Sequence, residues 1–191
     1  VFRETDPLNP SSPYSASKAS ADLLAFAYFK THGLPVVITR CTNNFGPYQY
    51  PEKLVSLFIT PAIENRKLPL YGDGLNVREW IYVLVHCEAL DLVWNKGKVG
   101  EVYNIGSRQE ISNQEMSLAI LKELGKSPSL IEPVKDRPGH DRRYSVDSGK
   151  IRALGWAPRH SFEGALHETV RWHQEHETWW KKLKQKKKEF Q

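Results

Sequence analysis

The sequence predicts an α/β protein, and three observations carry that expectation. Helical and extended patterns alternate along the chain. The extended stretches are short and rich in β-branched residues, as in Pro35–Cys41 (PVVITRC), which reads as a buried strand. Helix starts carry hydroxyl caps, and helix ends carry glycine.

The elements follow in order. Ser11-Ser12-Pro13 caps and starts a helix whose apolar residues Leu23, Leu24, Phe26, Ala27 and Phe29 recur to about His32, where Gly33 ends it. After the Pro35–Cys41 strand comes a loop, Thr42 to Lys53 (TNNFGPYQYPEK). Leu54 to Arg66 is expected to be helical, with Pro61 bending or shortening it. Leu68–Tyr71 and Val77–Val83 read as strands around the turn Gly72-Asp73-Gly74, and Val85–Asn95 as a helix. Val102–Ile105 is a further strand. Ser112 and Glu115 have capping-box spacing for a helix closing at Gly125. Leu130–Val134 is expected to be extended, Asp147 to cap a short helix stopped by Gly155, and Ser161 to open one long final helix.

Composition narrows the function classes. The chain has 191 residues, 40% apolar and 26% charged, in the globular range. No apolar run approaches the roughly 18 residues of a spanning helix, and no signal peptide is expected. Cys41 and Cys87 make no disulfide framework and read as reduced thiols, which favours a cytoplasmic setting. The net charge of +5 resides in the last eleven residues, which hold six lysines and one glutamate; residues 1–180 carry equal numbers of acidic and basic groups. That tail, 181–191, is expected to be a frayed, solubilising terminus, not a nucleic-acid or membrane contact. His167, His173 and His176 lack completing ligands, so no metal site is expected and a solvated helix face is the reading. Gly97 and Gly100 precede a strand instead of following one, so they form a connection and not a phosphate loop.

The strongest chemical signal is Tyr14-Ser15-Ala16-Ser17-Lys18, whose ends lie four apart and share one helix face. A phenol titrates near 10, so it is a poor base at neutral pH unless a cation such as a lysine ammonium stabilises the phenolate. Alcohol oxidation needs such a base, because the hydroxyl proton must leave as hydride passes to a nicotinamide. Past the strand end, Asn43 and Asn44 offer amide groups where open α/β sheets bind ligands. Lys53, Arg78 and Arg137 are cations in polar-aromatic loops, suited to a diphosphate, whereas Arg142 and Arg143 could equally be solvated surface charges.

The run Pro10–Lys18 (PSSPYSASK) resembles the extended short-chain dehydrogenases/reductases, and within them the dTDP-glucose 4,6-dehydratases. The resemblance continues through Ile38–Leu54 (ITRCTNNFGPYQYPEKL), Leu68–Val83 (LPLYGDGLNVREWIYV), Gly100–Gly106 (GEVYNIG), Asp136–Asp147 (DRPGHDRRYSVD) and Leu154–Pro158 (LGWAP), and reaches about residue 180. NNFGPYQYPEK and RPGHDRRY favour the dTDP-glucose enzymes over GDP-mannose dehydratases and UDP-sugar epimerases. The resemblance implies an incomplete Rossmann-like NAD-binding domain (1–47 and 76–106), a small nucleotide-sugar-binding domain (48–75 and 107–180) and the basic tail. It implies NAD as cofactor, dTDP-glucose as substrate and a homodimer built on the Tyr14–His32 helix. Tyr14 and Lys18 would be catalytic and, with Asn44, would touch NAD. The substrate would be lined by Asn43, by Lys53, Leu54, Val55, Ser56, Leu57 and Phe58, by Pro69, Leu70 and Tyr71, by Arg78 and Asn113, and by Asp136, Arg137, Pro138, Gly139 and His140.

Two features depart from the family pattern. Leu84-Val85 stands where the family usually carries an acidic pair, removing a cap from the following helix. The strand, glycine-rich turn and helix that cradle a dinucleotide pyrophosphate, and the acid–base pair of the elimination, have no counterpart in these residues, and the chain opens on Val1 and not on Met. The expectation is the C-terminal portion of a dehydratase; alternatives are another nucleotide-sugar epimerase or dehydratase, or a non-catalytic nucleotide-sugar-binding remnant. The purified 191-residue chain should therefore neither reduce NAD+ nor dehydrate dTDP-glucose, and turnover in either assay would contradict this.

Overall fold

The computed structural model describes residues 1–136 and 141–189. Helix α1 (Pro13–His32) starts where expected: Ser12 Oγ accepts the Ser15 N–H at 3.1 Å, Pro13 occupies the first turn, and Gly33, at φ 65°, returns its N–H to the Phe29 carbonyl. None of its twenty residues is buried, and Leu23, Leu24, Phe26 and Tyr28 are exposed. It is held by the Asp22–Arg40 ion pair at 2.6 Å and by Phe29, whose ring fills the space above Gly100.

Strand β1 (Ile38–Cys41) pairs in parallel with β5 (Val102–Ile105), from Ile38 opposite Val102 to Cys41 opposite Ile105. Among the described residues these two strands form a sheet by themselves, so each keeps one open edge. The expected loop after β1 contains a short strand, β2 (Asn43–Phe45), that alternation could not reveal in three residues. It lies parallel to β4 (Val77–Tyr82), Asn44 opposite Ile81. On the other edge β4 takes β6 (Glu110–Ser112) antiparallel, while β8 (Arg143–Tyr144) pairs in parallel with the start of β4 on the edge β2 occupies further along; neither strand was predicted from the sequence. A third pair joins β3 (Leu68–Tyr71) to β7 (Ile131–Val134), which starts one residue later than expected because Leu130 closes a short 3₁₀ turn, Pro128–Leu130.

The core gathers where these sheets meet five of the helices. Helix α2 (Leu54–Ile63) keeps Pro61 in its last turn and ends three residues early, leaving Arg66 outside. It packs against α4 (Asn113–Glu123) and α6 (Phe162–Glu175), burying Val55, Phe58, Ile59, Met116, Ile120 and Val170. The capping box at α4 is complete: Ser112 Oγ accepts the Glu115 N–H at 3.1 Å, and Glu115 accepts the Ser112 N–H at 2.7 Å. Helix α5 (Gly149–Ala153) begins after Asp147, whose carboxylate accepts the Gly149 N–H at 2.8 Å.

Two expectations for the C-terminal end are corrected. The final helix is two helices, broken at His176, and α7 (Glu177–Glu189) is ordered where a frayed terminus was expected. Its anchor is Trp180, fully buried, with the indole N–H donating to the His173 carbonyl at 2.8 Å and Lys184 reaching Glu64. His173 does not belong to a solvated face: it is fully buried against Ser56, and burial holds its imidazole below the usual range. Among the described residues, no three histidine, cysteine, aspartate or glutamate side chains gather as metal ligands, and no helix is long and apolar enough to cross a membrane.

Helix α3 (Val83–Lys96) shows the consequence of Leu84-Val85: its first turn has no acidic residue and no side-chain cap. Val85 is core, whereas Leu84 is half exposed. Leu84→Asp should therefore add about 0.5 kcal/mol through the helix dipole, read as a higher urea midpoint; an unchanged or lower midpoint would count against it.

Candidate functional site

Two clusters of polar groups lie beyond the strand ends, joined by one strap. The first forms where β1 passes into β2. Asn44 donates from Nδ2 to the Thr42 carbonyl at 3.2 Å and to Cys41 Sγ at 3.3 Å. Burial pushes the Cys41 thiol up, while the Asn44 hydrogen bond and the positive charge of Lys18 pull it back, which puts the Lys18 ammonium within electrostatic reach of this corner. Thr42 Oγ1 and Asn44 Oδ1 are buried with no partner among the described residues. Tyr14 is 73% exposed in the first turn of α1, so its phenol is open to a ligand. An open phenol, a nearby ammonium and two unfilled oxygens are the parts that a hydroxyl-bearing substrate and a nicotinamide amide require.

The second cluster is built on β4. Arg78 is almost buried and donates from Nη2 to the Asp141 carbonyl at 2.7 Å and from Nη1 to the Val77 carbonyl at 2.8 Å. Asn76 donates to the same Asp141 carbonyl at 3.1 Å, and its own carbonyl accepts the Asn113 N–H at 3.0 Å. Asn76 Oδ1 and Asn113 Oδ1 are both buried and lack partners among the described residues. A guanidinium beside two unfilled acceptors suits a ligand with both an anionic group and N–H or O–H donors, as a nucleotide has.

Residues 141–147 are the strap. Ser11, before α1, reaches Asp141 at 3.5 Å; Tyr144 Oη donates to the Cys41 carbonyl at 3.3 Å; Phe2 pairs with Val146. The strap thus touches the start of the Tyr14 helix, the end of β1 and the Arg78 cluster. Glu79 holds it down. This fully buried carboxylate accepts from Val146 N at 2.9 Å, Ser145 Oγ at 3.1 Å and Arg108 N at 2.6 Å. Gly106 is required beside it, because a Cβ there would come within 2.3 Å of Glu79 Oε1.

The expected site residues divide by placement. Lys18 and Asn44 belong to the first cluster, Asn43 precedes Asn44 on β2, Tyr14 lies one turn before Lys18 on α1, and Arg78 and Asn113 belong to the second cluster. Lys53, Leu54, Leu57, Pro69 and Tyr71 keep exposed or half-buried side chains, and Asp136 is exposed beside Gly72. Val55, Ser56, Phe58 and Leu70 point into the core, so their side chains are not free to line a ligand. Arg137, Pro138, Gly139 and His140 lie outside the described residues. Arg142 and Arg143 resolve as cross-links: Arg142 pairs with Asp73 at 2.8 Å, and Arg143 grips both oxygens of Glu110 at 2.7 and 3.0 Å. The sequence reading missed Thr42, Asn76, Glu79 and the strap contacts of Asp141 and Tyr144. A signal for Glu79 was present, since a glutamate inside V-R-E-W-I-Y is a charge in an otherwise buried strand.

A parallel α/β framework with a Tyr–Lys helix at its strand ends and an arginine–asparagine cluster beside it is the fold of the NAD-binding dehydratases and epimerases. The family model for GDP-mannose 4,6 dehydratase matches residues 1–169, and the chain belongs to that family. It is 50% identical over 185 residues to the dTDP-glucose 4,6-dehydratase of Streptomyces niveus, covering 96% of this chain and 55% of the relative. Among solved structures it resembles the dTDP-glucose 4,6-dehydratase of Bacillus anthracis in complex with NAD (TM-score 0.91, 55% identity, 95% of this chain and 58% of that one). It also resembles the Streptomyces venezuelae enzyme solved with NAD (TM-score 0.93, 51% identity, 95% and 57%). The chain thus spans a little over half the length of the proteins it matches.

Glu79→Gln keeps the size but sets an amide N–H₂ against donors that need an acceptor. It should cost roughly 2–3 kcal/mol in urea unfolding, and a cost near zero would show that the strap is held by other contacts.

Proposed function

We propose that the chain supplies the substrate-binding half and the Tyr–Lys pair of an NAD-dependent dTDP-glucose 4,6-dehydratase, a hydro-lyase of deoxysugar synthesis that forms the 4-keto-6-deoxy sugar nucleotide. The observation that carries this reading is the second cluster: a nearly buried Arg78 beside the buried Asn76 Oδ1 and Asn113 Oδ1, which have no partner among the described residues. The similarity to dTDP-glucose 4,6-dehydratases supports the choice of nucleotide sugar.

In this reading Arg78 neutralises diphosphate charge, and the two asparagine oxygens take donors from the nucleoside or sugar. Tyr14 receives the proton of the sugar hydroxyl being oxidised, and the Lys18 ammonium favours the resulting phenolate. Asn43 and Asn44 orient the sugar and the nicotinamide at the end of β2. The residues present fit the nicotinamide end of NAD, on the evidence of the unfilled Thr42 Oγ1 and Asn44 Oδ1. When bound, NAD accepts the hydride. No Gly-x-Gly-x-x-Gly turn occurs in the 191 residues, so nothing here is assigned to its pyrophosphate. The exposed apolar face of α1 fits a homodimer contact, and the unpaired Cys41 and Cys87 fit a cytoplasmic enzyme.

Calorimetric titration tests the reading on the purified chain. dTDP should bind more tightly than GDP or UDP, and Arg78→Ala should weaken it about tenfold to a hundredfold, as loss of a charge-assisted contact does. Equal affinity for all three nucleotides, or an Arg78→Ala variant that binds dTDP as well as the parent, would refute it.

A further inference from the structure

A second hydrogen-bonded chain runs through the protein from its C-terminal helices to Asn44. Trp180 Nε1 donates to the His173 carbonyl at 2.8 Å, seating α7 on α6. His173 Nδ1 faces the Thr169 carbonyl at 2.8 Å; a carbonyl only accepts, so Nδ1 carries the proton and a neutral ring leaves Nε2 as an acceptor. Nε2 lies 3.0 Å from Ser56 Oγ on α2. That hydroxyl also lies 2.9 Å from the Gln49 carbonyl and 3.2 Å from Gln49 Oε1, so its one proton is shared among three acceptors. Ser56 N donates to Gln49 Oε1 as well, at 3.3 Å, which fixes the amide orientation and aims Nε2 away. Gln49 Nε2 then donates to the Asn44 carbonyl at 2.7 Å.

The loop between Phe45 and Leu54 also holds two turn hydrogen bonds, from Gln49 N to the Gly46 carbonyl at 3.3 Å and from Lys53 N to the Tyr50 carbonyl at 3.0 Å. Gly46 adopts φ 151°, where a Cβ would come within 2.5 Å of the Val83 side chain, and Tyr48 takes a positive φ of 62°. The Tyr48 ring is clamped between Trp172 and Trp179, at centroid distances of 4.6 and 5.8 Å, on the same two helices that supply His173 and Trp180. The middle of the loop, at Tyr48, and its Gln49–Ser56 contacts are therefore met by α6 and α7, whereas Gly46 packs against Val83 at the start of α3.

We propose that His173, acting through Ser56 and Gln49, is a positioning residue for the main chain of Asn44, and that α6 and α7 form a latch setting the first cluster. None of these side chains touches a reacting atom in this account. That Asn44 is a site residue rests on the functional reading above; the network itself does not.

Amide hydrogen exchange followed by NMR on the full 191-residue chain tests it without any ligand, so a chain that fails to bind dTDP still decides the question. Ser56→Ala and His173→Phe should each speed exchange at residues 43–49 by about fivefold to tenfold, with exchange in Val102–Ile105 of β5 unchanged. His173→Gln, which returns an acceptor near the Nε2 position, should restore slow exchange. Should His173→Phe not fold, Ser56→Ala decides alone. Parent-like exchange at residues 43–49 in Ser56→Ala, or equal acceleration there and in β5, would overturn the proposal.

Discussion

The structure depends on one buried carboxylate. Glu79 lies on β4, which alone among the described strands meets three others, and its two oxygens gather donors from two separate loops. Those bonds draw residues 145 and 146 against the sheet, together with the β8–β4 pairing and the Phe2–Val146 bridge. Without them the Asp141 carbonyl, which both Asn76 and Arg78 address, would lose part of its support. A carboxyl group is costly to bury without partners, and three hydrogen bonds from two loops offset that cost here. The neighbouring residue on the strand, Arg78, faces the opposite side and donates to the Asp141 carbonyl. Adjacent residues of one strand thus hold the two ends of the strap from opposite faces.

The strap also explains how two clusters from distant parts of the sequence come to share one place. Tyr144 closes it onto the Cys41 carbonyl at the end of β1, and Ser11 meets Asp141 at the start of the Tyr14 helix. The first cluster is thereby held from two sides, by the strap on one and by the Gln49–Ser56–His173 chain on the other. Its remaining side is open. Helix α1 buries none of its residues, and β1 carries an unpaired edge among the described residues. A site framed on two sides by buried polar contacts and left open on the third fits a protein in which further structure meets this one.

Much of the fold was legible because local signals and packing agreed. Ser12 and Gly33 bound α1, Ser112 and Glu115 make the capping box, and the apolar runs at Ile38–Cys41 and Val102–Ile105 are strands. Elements of two or three residues were not legible, since β2, β6 and β8 exist only through their partners on β4. His173 was misjudged for a related reason. Its helix reads as amphipathic with histidines on the polar side, and only the tertiary arrangement brings Ser56, distant in sequence, against that ring. For the candidate site, the residues that the sequence singles out are those with a chemical signature: the Tyr–Lys pair, the paired asparagines and Arg78. Residues that make their bonds inside the protein, Glu79 and Asn76 among them, carry no signature beyond an out-of-place polarity.

The central claim is that this chain alone presents a preformed nucleotide site on β4 under the Glu79-held strap. Chemical-shift mapping of dTDP on isotopically labelled protein tests it most directly. The account predicts shifts concentrated at Asn76, Arg78, Asn113 and Asp141, with Glu79 and β5 little changed. Shifts confined to the exposed face of α1, or no saturable shift at any residue of the β4 cluster, would contradict it.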